Sequence, residues 1–287
     1  MDNRQEKIQT AAVTLSPRGR GDEGEGFGFI AYANSRVEKL QDEGRYDAAS
    51  KLKMYLRKFI AYLGESDVPF KDFDSLLVRN YHTWLKNQEL GRNTVSLYIR
   101  NLKRVYRLAV DSGLADECHP FDGLDVSYRV KRERNGLTLA EVRRLHDLDL
   151  DGESPSVVFA RDIFLFSVYA RGMRSDDIFR LTQGNIRNGR LTYRQHLTGK
   201  EISIPWEPAL REIAGRYRQE GTAFLFPVIT AKDPRGQWRQ YDSALHRINY
   251  SLKRLGERIG LGYPLNLTVA RHSWESMTKC VSISDIL

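Results

Sequence analysis

Two arginine-containing segments combine residue types that could bind a phosphate and assist chemistry on it. The first, VYARGMRSDDI (168–178), follows an apolar segment and includes Arg174. The second, LNLTVARHSWESM (265–277), places Arg271 directly before His272. Guanidinium groups stay charged at any workable pH, and their forked donors match two oxygens of a phosphate. Two arginines that converge on one anion would also stabilise the charge that develops in a phosphoryl-transfer transition state.

The local sequence predicts a sharp corner around the first segment. Gly172 allows one helix to end, and Ser175 with the two aspartates after it starts the next helix. Arg174 would then be held by a rigid corner and could point into a cleft. In the alternative interpretation, Arg171 and Arg174 neutralise a helix C-terminus and pair with the neighbouring aspartates.

The elements around these segments alternate between helices and one small sheet. Thr138 followed by Glu141 is a capping-box pattern at the start of a helix. The segment 184–205 alternates apolar and polar residues around the turn signals Asn188-Gly189 and Thr198-Gly199, which predicts a three-stranded antiparallel sheet. Helices are predicted at 156–169, 176–182, 208–219, 241–259 and 269–279, with Ser175 as the cap of the second of these.

The first half of the chain shows apolar residues at helical spacing in four successive segments. They cover 29–40, 46–63, 73–85 and 93–113, with Asp72 or Asp74 as a cap of the third and Asn93 or Thr94 as a cap of the fourth. Gly64 and Gly113 are predicted to end the second and fourth helices. Four helices joined by short loops favour a helical bundle.

The fourth helix gathers basic residues on one side, which is typical of a helix that lies against a nucleic-acid backbone. A solvated helix surface would look the same. The candidate DNA-contacting residues are Asn93, Thr94, Ser96, Tyr98, Arg100, Lys103, Arg104 and Arg107.

The flanking and linking segments complete the predicted domain organisation. Residues 1–26 are polar and predict a flexible arm, followed by a helical domain at 27–125 and a second domain at 137–287. Between them, 126–136 is a basic linker in which Arg129, Lys131 and Arg132 could follow a DNA backbone. A linker that only improves solubility would have the same composition.

Composition narrows the class of partner. The 287 residues carry a formal net charge of +8, which favours an anionic partner, with nucleic acid before a membrane surface. Two widely separated cysteines without metal-ligand spacing favour a reduced intracellular compartment and no metal site. The polar N-terminus shows no secretory signal, and the longest apolar segment is interrupted by charges too early to span a membrane. We expect no cofactor and no small-molecule substrate.

The ordered set of motifs resembles the tyrosine recombinases, or phage-type integrases, from about residue 28 to the end. ARGMRSDDIFRL is similar to the family's first arginine motif, TGKEISIPW to its lysine-bearing hairpin, and TVARHSW to its second arginine motif. The ARHSW variant resembles integrases carried on mobile elements of Bacteroides-like bacteria. The segment at 28–115 resembles the family's core-binding domain.

The resemblance implies a fold, an activity and a set of catalytic residues. The fold would be mainly helical, with a helical core-binding domain and an α+β catalytic domain that contains a small antiparallel sheet. The activity would be site-specific DNA recombination, in which a tyrosine attacks a phosphodiester and forms a 3′-phosphotyrosyl link without metal or nucleotide. Arg174 and Arg271 would stabilise the transition state. Lys200, which would protonate the leaving oxygen, and His272 complete the candidate catalytic set.

The sequence departs from the family pattern at three places. Thr268 stands three residues before the second arginine, where the family often has histidine. Leu197 stands just before Thr-Gly, where a lysine is common, so Lys200 or, less directly, His196 would have to serve instead. None of the fourteen tyrosines follows Arg271. The last residues begin an apolar pattern without a helix cap, and we therefore expect a catalytic domain that is incomplete at its C-terminus.

Three functional hypotheses follow. The leading one is a recombinase that binds double-stranded DNA through both domains but lacks its nucleophilic tyrosine in this chain, so that DNA binding without autonomous cleavage is expected. Its partners would be other recombinase protomers on DNA, in the bacterial cytoplasm at the nucleoid. The second is a catalytically inactive DNA-binding accessory protein or remnant. The third is a basic helical protein without any DNA role.

Overall fold

The computed structural model describes residues 28–64, 66–124 and 135–278, which form two compact units. Described residues 28–39 and 50–124 make up the first unit, and 40–49 with 135–278 the second. The predicted N-terminal arm, most of the predicted linker and the last nine residues lie outside the described ranges. The domain boundary at 126–136 therefore stays a prediction.

Four helices fill the first part of the chain. They are α1 (Phe29–Asp42), α2 (Tyr46–Leu63), α3 (Ser75–Lys86) and α4 (Arg92–Asp111), with a short 3-10 helix at Phe70–Asp72. Asp74 caps α3, as predicted, because its carboxylate accepts the backbone N–H of Leu77 at 2.8 Å. The predicted caps of α4 are wrong: the helix begins at Arg92 after Gly91, so Asn93 and Thr94 lie inside its first turn.

Aromatic side chains form the core of the first unit. Phe29 stacks on Phe73 with ring centroids 4.5 Å apart, and Phe59 meets Tyr81 edge-on at 4.9 Å. These four side chains and Tyr106 are at most 1% exposed. These five aromatic residues belong to the apolar positions at helical spacing in the sequence, and they pack together in the core of the unit.

The second unit surrounds one almost completely buried helix. Its elements are α5 (Leu139–His146), α6 (Pro155–Tyr169), α7 (Ser175–Ile178), β1 (Ile186–Arg187), β2 (Arg190–Arg194), β3 (Glu201–Pro205), α8 (Pro208–Arg216), α9 (Pro234–Arg258) and α10 (Leu267–Met277), with a 3-10 helix at Gln183–Asn185. The central helix is α6, which packs against α8, α9 and α10. The α6 sequence is apolar on all sides, as expected for a helix with neighbours all round.

The three strands form the predicted antiparallel sheet, in the order β1-β2-β3. Leu191 pairs with Ile204, and Tyr193 pairs with Ile202. The turn between β1 and β2 uses Asn188 and Gly189, both at positive φ (49° and 69°), the combination that a two-residue type I′ turn requires. The sheet and this turn confirm the prediction.

Several helix starts differ from the prediction, including that of α10, which begins at Leu267 instead of 269. The α9 helix begins at Pro234 instead of 241, because Asp233 accepts the N–H of Gly236 at 2.7 Å and proline suits the first helical position. In α7, Ser175 is the first helical residue, and the cap position belongs to Arg174. The capping box of Thr138 and Glu141 is confirmed at the start of α5. None of the helices in the described ranges combines the length and apolarity needed to cross a membrane.

Candidate functional site

A pocket of about 480 Å³ in the second unit contains both arginines singled out in the sequence. The corner before α7, the middle of α9 and the first turns of α10 form its walls. The lining residues are Met173, Arg174, Ser175, Tyr241, Leu245, Asn249, Leu267, Thr268, Arg271, His272 and Glu275. Segments almost one hundred residues apart in the sequence therefore meet at one concave site.

Arg174 occupies the N-cap position of α7 with an extended backbone (φ −74°, ψ 151°). Its Nε lies 3.4 Å from Oδ1 of Asp176, and its side chain is 37% exposed. The ion pair that the alternative interpretation expected is therefore present for this arginine, in a side chain that also lines the pocket.

Arg271 lies in the second turn of α10, on the opposite wall. Its Nε donates to Oε1 of Glu275 at 3.0 Å, one turn further along the helix. Both arginines thus bond to their neighbouring carboxylate through Nε. An ion pair through Nε orients a guanidinium group and leaves its two Nη groups directed elsewhere.

Gly172 brings the two arginine segments together. Its φ of +74° is a left-handed conformation, and a Cβ at this position would lie 3.2 Å from Cα and 3.3 Å from Cγ of Arg271. A side chain at 172 would therefore crowd the backbone of the second arginine motif. The corner is fixed further because the N–H of Gly172 and the hydroxyl of Ser167 bond across it, the latter to the carbonyl of Met173 at 2.7 Å.

The other arginine of the first motif has a different position. Arg171 is exposed, has a positive φ of 62°, and does not belong to the residues that line the pocket. Of the two arginines around Gly172, Arg174 is the one placed for a role in the site.

The N-terminus of α10 is already capped by side chains. Asn266 accepts the N–H groups of Thr268 at 2.9 Å and Val269 at 3.3 Å, and Asn249 accepts that of Leu267 at 3.0 Å. The donors at which a helix would usually bind an anion are thus occupied. A bound anion in this pocket would depend on side-chain donors, chiefly Arg174 and Arg271.

Asp177 lies in α7 two residues after the pocket-lining Ser175, and the sequence analysis did not consider it as a candidate for function. It is 4% exposed, and its Oδ1 accepts the backbone N–H of His196 in the loop after β2 at 2.8 Å. Its Oδ2 is buried without a hydrogen-bond partner among the described residues. Burial raises the pKa of this carboxyl group, and the charge of Asp176 raises it further. The sequence did offer a signal for Asp177, because it is the second of two adjacent acidic residues and lies three positions after Arg174 at the predicted corner.

Tyr193 connects the sheet electrostatically to the site. This β2 side chain is 7% exposed, and burial raises its pKa to about 12. The nearby Asp177 raises that pKa as well, whereas Arg271 lowers it. The phenol is therefore neutral at any ordinary pH, and β2 lies within electrostatic reach of the pocket.

The loop between β2 and β3 carries the two other basic candidates. Lys200 and His196 are exposed and do not line the pocket, and Leu197 beside them is 65% exposed. The loop is held by its own bonds, including Thr198 Oγ1 to Gln195 Oε1 at 2.6 Å. By contrast, His272 and Thr268 are both part of the pocket wall.

The candidate DNA-contacting face of α4 separates into two groups. Arg104 and Arg107 are exposed, and Lys103 and Arg100 are half-buried, with the ammonium of Lys103 5.9 Å from the ring centre of Phe121. Asn93 and Thr94 are also half-buried.

The prediction needs correction at two positions of this face. Ser96 is 5% and Tyr98 8% exposed, and the Tyr98 ring packs edge-on against Tyr55 at 5.2 Å. Both belong to the helical core because they share the apolar side of α4. The linker candidates Arg129, Lys131 and Arg132 lie outside the described residues. Within the described ranges, no group of three or more His, Cys, Asp or Glu side chains could hold a metal ion.

Both units are similar to known proteins. Residues 28–124 match the family model of the phage integrase SAM-like domain. A protein of Caldanaerobacter subterraneus subsp. tengcongensis that is named as a tyrosine recombinase is 24% identical, over 76% of this chain and 73% of its own. The chain therefore resembles the tyrosine recombinases in sequence, and the family model covers its first unit.

Solved structures of integrases have the same fold as this chain. A lambda integrase dimer bound to a COC′ core site matches with a TM-score of 0.63 and 15% identity, over 87% of this chain and 89% of that one. The Tn1549 transposon integrase in complex with a circular intermediate DNA matches with a TM-score of 0.56 and 12% identity, over 90% of both chains. Mainly helical architecture with one small antiparallel sheet, as predicted, is thus the fold of the chain.

Proposed function

We propose that the protein is a site-specific DNA recombinase in which Arg174 and Arg271 bind a single phosphodiester of duplex DNA. The observation that carries the proposal is that both arginines line one pocket in a chain that resembles the tyrosine recombinases. The pocket volume of about 480 Å³ is ample for a phosphodiester with its flanking sugars. His272 and Thr268 supply further polar groups on the same wall.

Duplex DNA as the partner is supported by charge and by the matched structures. The net charge of +8 favours a polyanion, and exposed Arg104 and Arg107 on α4 give the first unit basic groups for backbone contacts. The matched lambda and Tn1549 integrases are bound to DNA, and one lambda integrase structure is a tetramer on a Holliday junction. We include further recombinase protomers as partners on DNA and place the action of the protein in the bacterial cytoplasm.

A salt titration of DNA binding tests whether the two arginines share one phosphate. For B-DNA, log K falls with log salt by about 0.9 for each phosphate neutralised. With a short labelled duplex, Arg174→Ala and Arg271→Ala should each weaken binding. The slope of the double variant should drop by about 0.9 in total, not by about 1.8, because one phosphate contact is lost.

Arg211→Ala is the matched control. Arg211 is exposed on α8 and does not line the pocket, so its removal lowers the net charge equally without touching the site. If all three single variants bind alike, the arginine pocket does not hold a phosphate. A slope change of about 1.8 would instead mean two separate phosphates.

The finer part of the proposal is that the recombinase in its complete form cleaves DNA through a 3′-phosphotyrosyl link. A nicked suicide duplex, from which the cut end diffuses away, traps such a link as a protein–DNA adduct. An adduct that requires Arg174 and Arg271 supports a complete recombinase. Binding without an adduct, or an adduct only after addition of an intact recombinase, supports the accessory DNA-binding protein as the second candidate.

Lys200 and His272 have separate roles in this proposal. His272 is a pocket residue and would donate a hydrogen bond to a phosphate oxygen. Lys200 stands on the exposed loop between β2 and β3, and we assign to it the protonation of the leaving oxygen. Asp177 anchors this loop through the backbone of His196, so we assign it the role of holding the loop close to the site.

A further inference from the structure

One face of α9 contacts both arginine-bearing segments. Tyr241, Leu245 and Asn249 are spaced four residues apart, so they share a helix face, and all three line the arginine pocket. Tyr241 and Asn249 are eight residues apart, which corresponds to about 12 Å along a helix. A single rigid helix therefore presents two polar groups at a fixed separation on one wall.

Tyr241 bonds to the segment that carries the first arginine. Its hydroxyl lies 3.1 Å from Oγ of Ser175, the residue directly after Arg174. The ring meets Phe179 edge-on, with centroids 5.9 Å apart, and Phe179 is completely buried. Burial raises the pKa of the phenol, so the hydroxyl stays protonated and acts as a neutral hydrogen-bonding group.

Asn249 bonds to the segment that carries the second arginine. Its Oδ1 accepts the backbone N–H of Leu267 at 3.0 Å. Leu267 is the first residue of α10 and precedes Arg271 by four residues, which is about one helical turn. The amide of Asn249 thus fixes where α10 starts and, through the helix, where Arg271 stands.

We propose that Tyr241 and Asn249 are positioning residues that set the spacing of the two phosphate-binding arginines, Tyr241 through Ser175 and Asn249 through Leu267. This inference rests on the proposed function of the pocket. Two guanidinium groups bind one phosphate well only if their separation matches it, since a misplacement of about 1 Å is enough to weaken such a site strongly. The α9 helix supplies that separation because both of its contacts come from one rigid face.

Double-mutant cycles in duplex binding test the inference. Tyr241→Phe retains the ring and removes only the hydroxyl, and should lower affinity for the labelled duplex by about two- to tenfold, the net value of one hydrogen bond. In the Arg174→Ala background the same change should have no further effect, because it acts through that segment. In the Arg271→Ala background, part of the loss should remain.

The reverse pattern is expected at the other end of the helix face. Asn249→Ala should lose its effect in the Arg271→Ala background, and Asn249→Thr, which retains an acceptor oxygen, should recover part of the affinity. Tyr217→Phe is the control for a purely structural role, because it removes a tyrosine hydroxyl bond to Asp162 that does not belong to the pocket wall. It should lower thermal stability and leave affinity unchanged.

Three outcomes would overturn the inference. The first is an unchanged affinity of Tyr241→Phe and Asn249→Ala while both arginine variants still bind weakly, which would leave the proposed function intact. The second is an equal effect of each variant in both arginine backgrounds. The third is a phosphotyrosyl adduct on Tyr241, because a phenol oxygen that attacks DNA leaves its hydrogen bond to Ser175 and cannot hold that segment in place during the reaction. If Arg174→Ala and Arg271→Ala themselves left the affinity for the duplex unchanged, the proposed function would be contradicted instead.

Discussion

At the scale of single residues, Asp177 shows how a buried acid links the first arginine motif to the loop after β2. It is nearly inaccessible, it bonds the loop after β2 through one oxygen, and its other oxygen is unpaired among the described residues. Burial of a carboxylate disfavours its charged form, which is why its pKa is raised. Ionisation of this residue therefore costs stability.

A pH series of unfolding measures that cost. Because the folded-state pKa of Asp177 is raised, the folded protein binds more protons than the unfolded chain from about pH 4, the unfolded value, up to the folded value. The free energy of unfolding of the wild type, relative to Asp177→Asn, should be highest below this window and fall as pH rises through it. Urea unfolding of both proteins at several pH values gives the difference. A wild type that gains on the variant with rising pH would contradict the assignment.

Gly172 is the second residue whose environment makes a definite prediction. Gly172→Ala should lower the free energy of unfolding by about 1 kcal/mol for the left-handed backbone and by about 1 kcal/mol more for the crowded contact with Arg271. It should also weaken duplex binding. Gly260→Ala is the matched control, because Gly260 has a similar φ of +78° and no other group of the described residues lies within 4 Å of the position that a methyl group would take there. Equal losses in the two variants would show that the contact with Arg271 carries no strain.

At the scale of elements, the second unit connects its central helix to α8 through a buried charge. Asp162 on α6 is completely buried and accepts bonds from Arg216 Nη1 at 3.0 Å and from the Tyr217 hydroxyl at 2.9 Å. Arg161 adds a third bond, from Nε at 3.2 Å. The same Arg216 also pairs with Glu212, which is 68% exposed. One guanidinium group therefore takes part in a buried and an exposed ion pair.

The two pairs should differ strongly in their contribution to stability. Asp162→Asn should lower the free energy of unfolding by about 1–3 kcal/mol, because the Arg216 guanidinium group and the Tyr217 hydroxyl lose the charged carboxylate to which they donate. Glu212→Gln should change it by less than about 1 kcal/mol, because exposed pairs are screened by water. Urea unfolding of both variants at neutral pH checks this. Similar losses would mean that Arg216 is held mainly by Glu212.

The elements were largely predictable from the sequence, and the exceptions have physical reasons. Apolar residues at helical spacing predicted the helices, and the Asn-Gly turn signal predicted the sheet. The start of α9 was missed because Pro234-Arg-Gly resembles a turn, although Asp233 before a proline is a helix-start signal. Ser96 and Tyr98 were misassigned because helical spacing places polar residues without saying which of them contact the core.

The two arginines of the site could be predicted from the sequence, whereas the positioning residues Tyr241 and Asn249 could not. Arg174 and Arg271 stand out as cations beside apolar segments, and the structure places both in one pocket. Tyr241 and Asn249 give no such signal, because a tyrosine and an asparagine on a long polar helix are typical of any solvated surface. Their part depends on which segments pack against α9, and that is decided by tertiary structure.

At the scale of the whole molecule, net charge should govern the association rate constant for DNA. The arginine pocket should govern how long the complex lasts. A net charge of +8 accelerates association with a polyanion in a salt-dependent way. Stopped-flow measurements should show that added salt lowers the association rate constant of every variant. Arg174→Ala should act mainly on the dissociation rate constant, whereas Arg211→Ala should act mainly, and weakly, on association. If Arg174→Ala changed mainly the association rate constant and Arg211→Ala mainly the dissociation rate constant, a specific phosphate site would be contradicted.

The tight packing of Gly172 on Arg271 has a consequence for how this molecule could respond to a ligand. Because the backbones of the two motifs touch there, neither can slide past the other without first breaking that contact. The spacing of the charged groups is therefore decided when the chain folds, before any ligand arrives. A DNA strand of different shape would be accommodated by movement of the loop between β2 and β3 and by side-chain rotation, while the corner at Gly172 stays fixed.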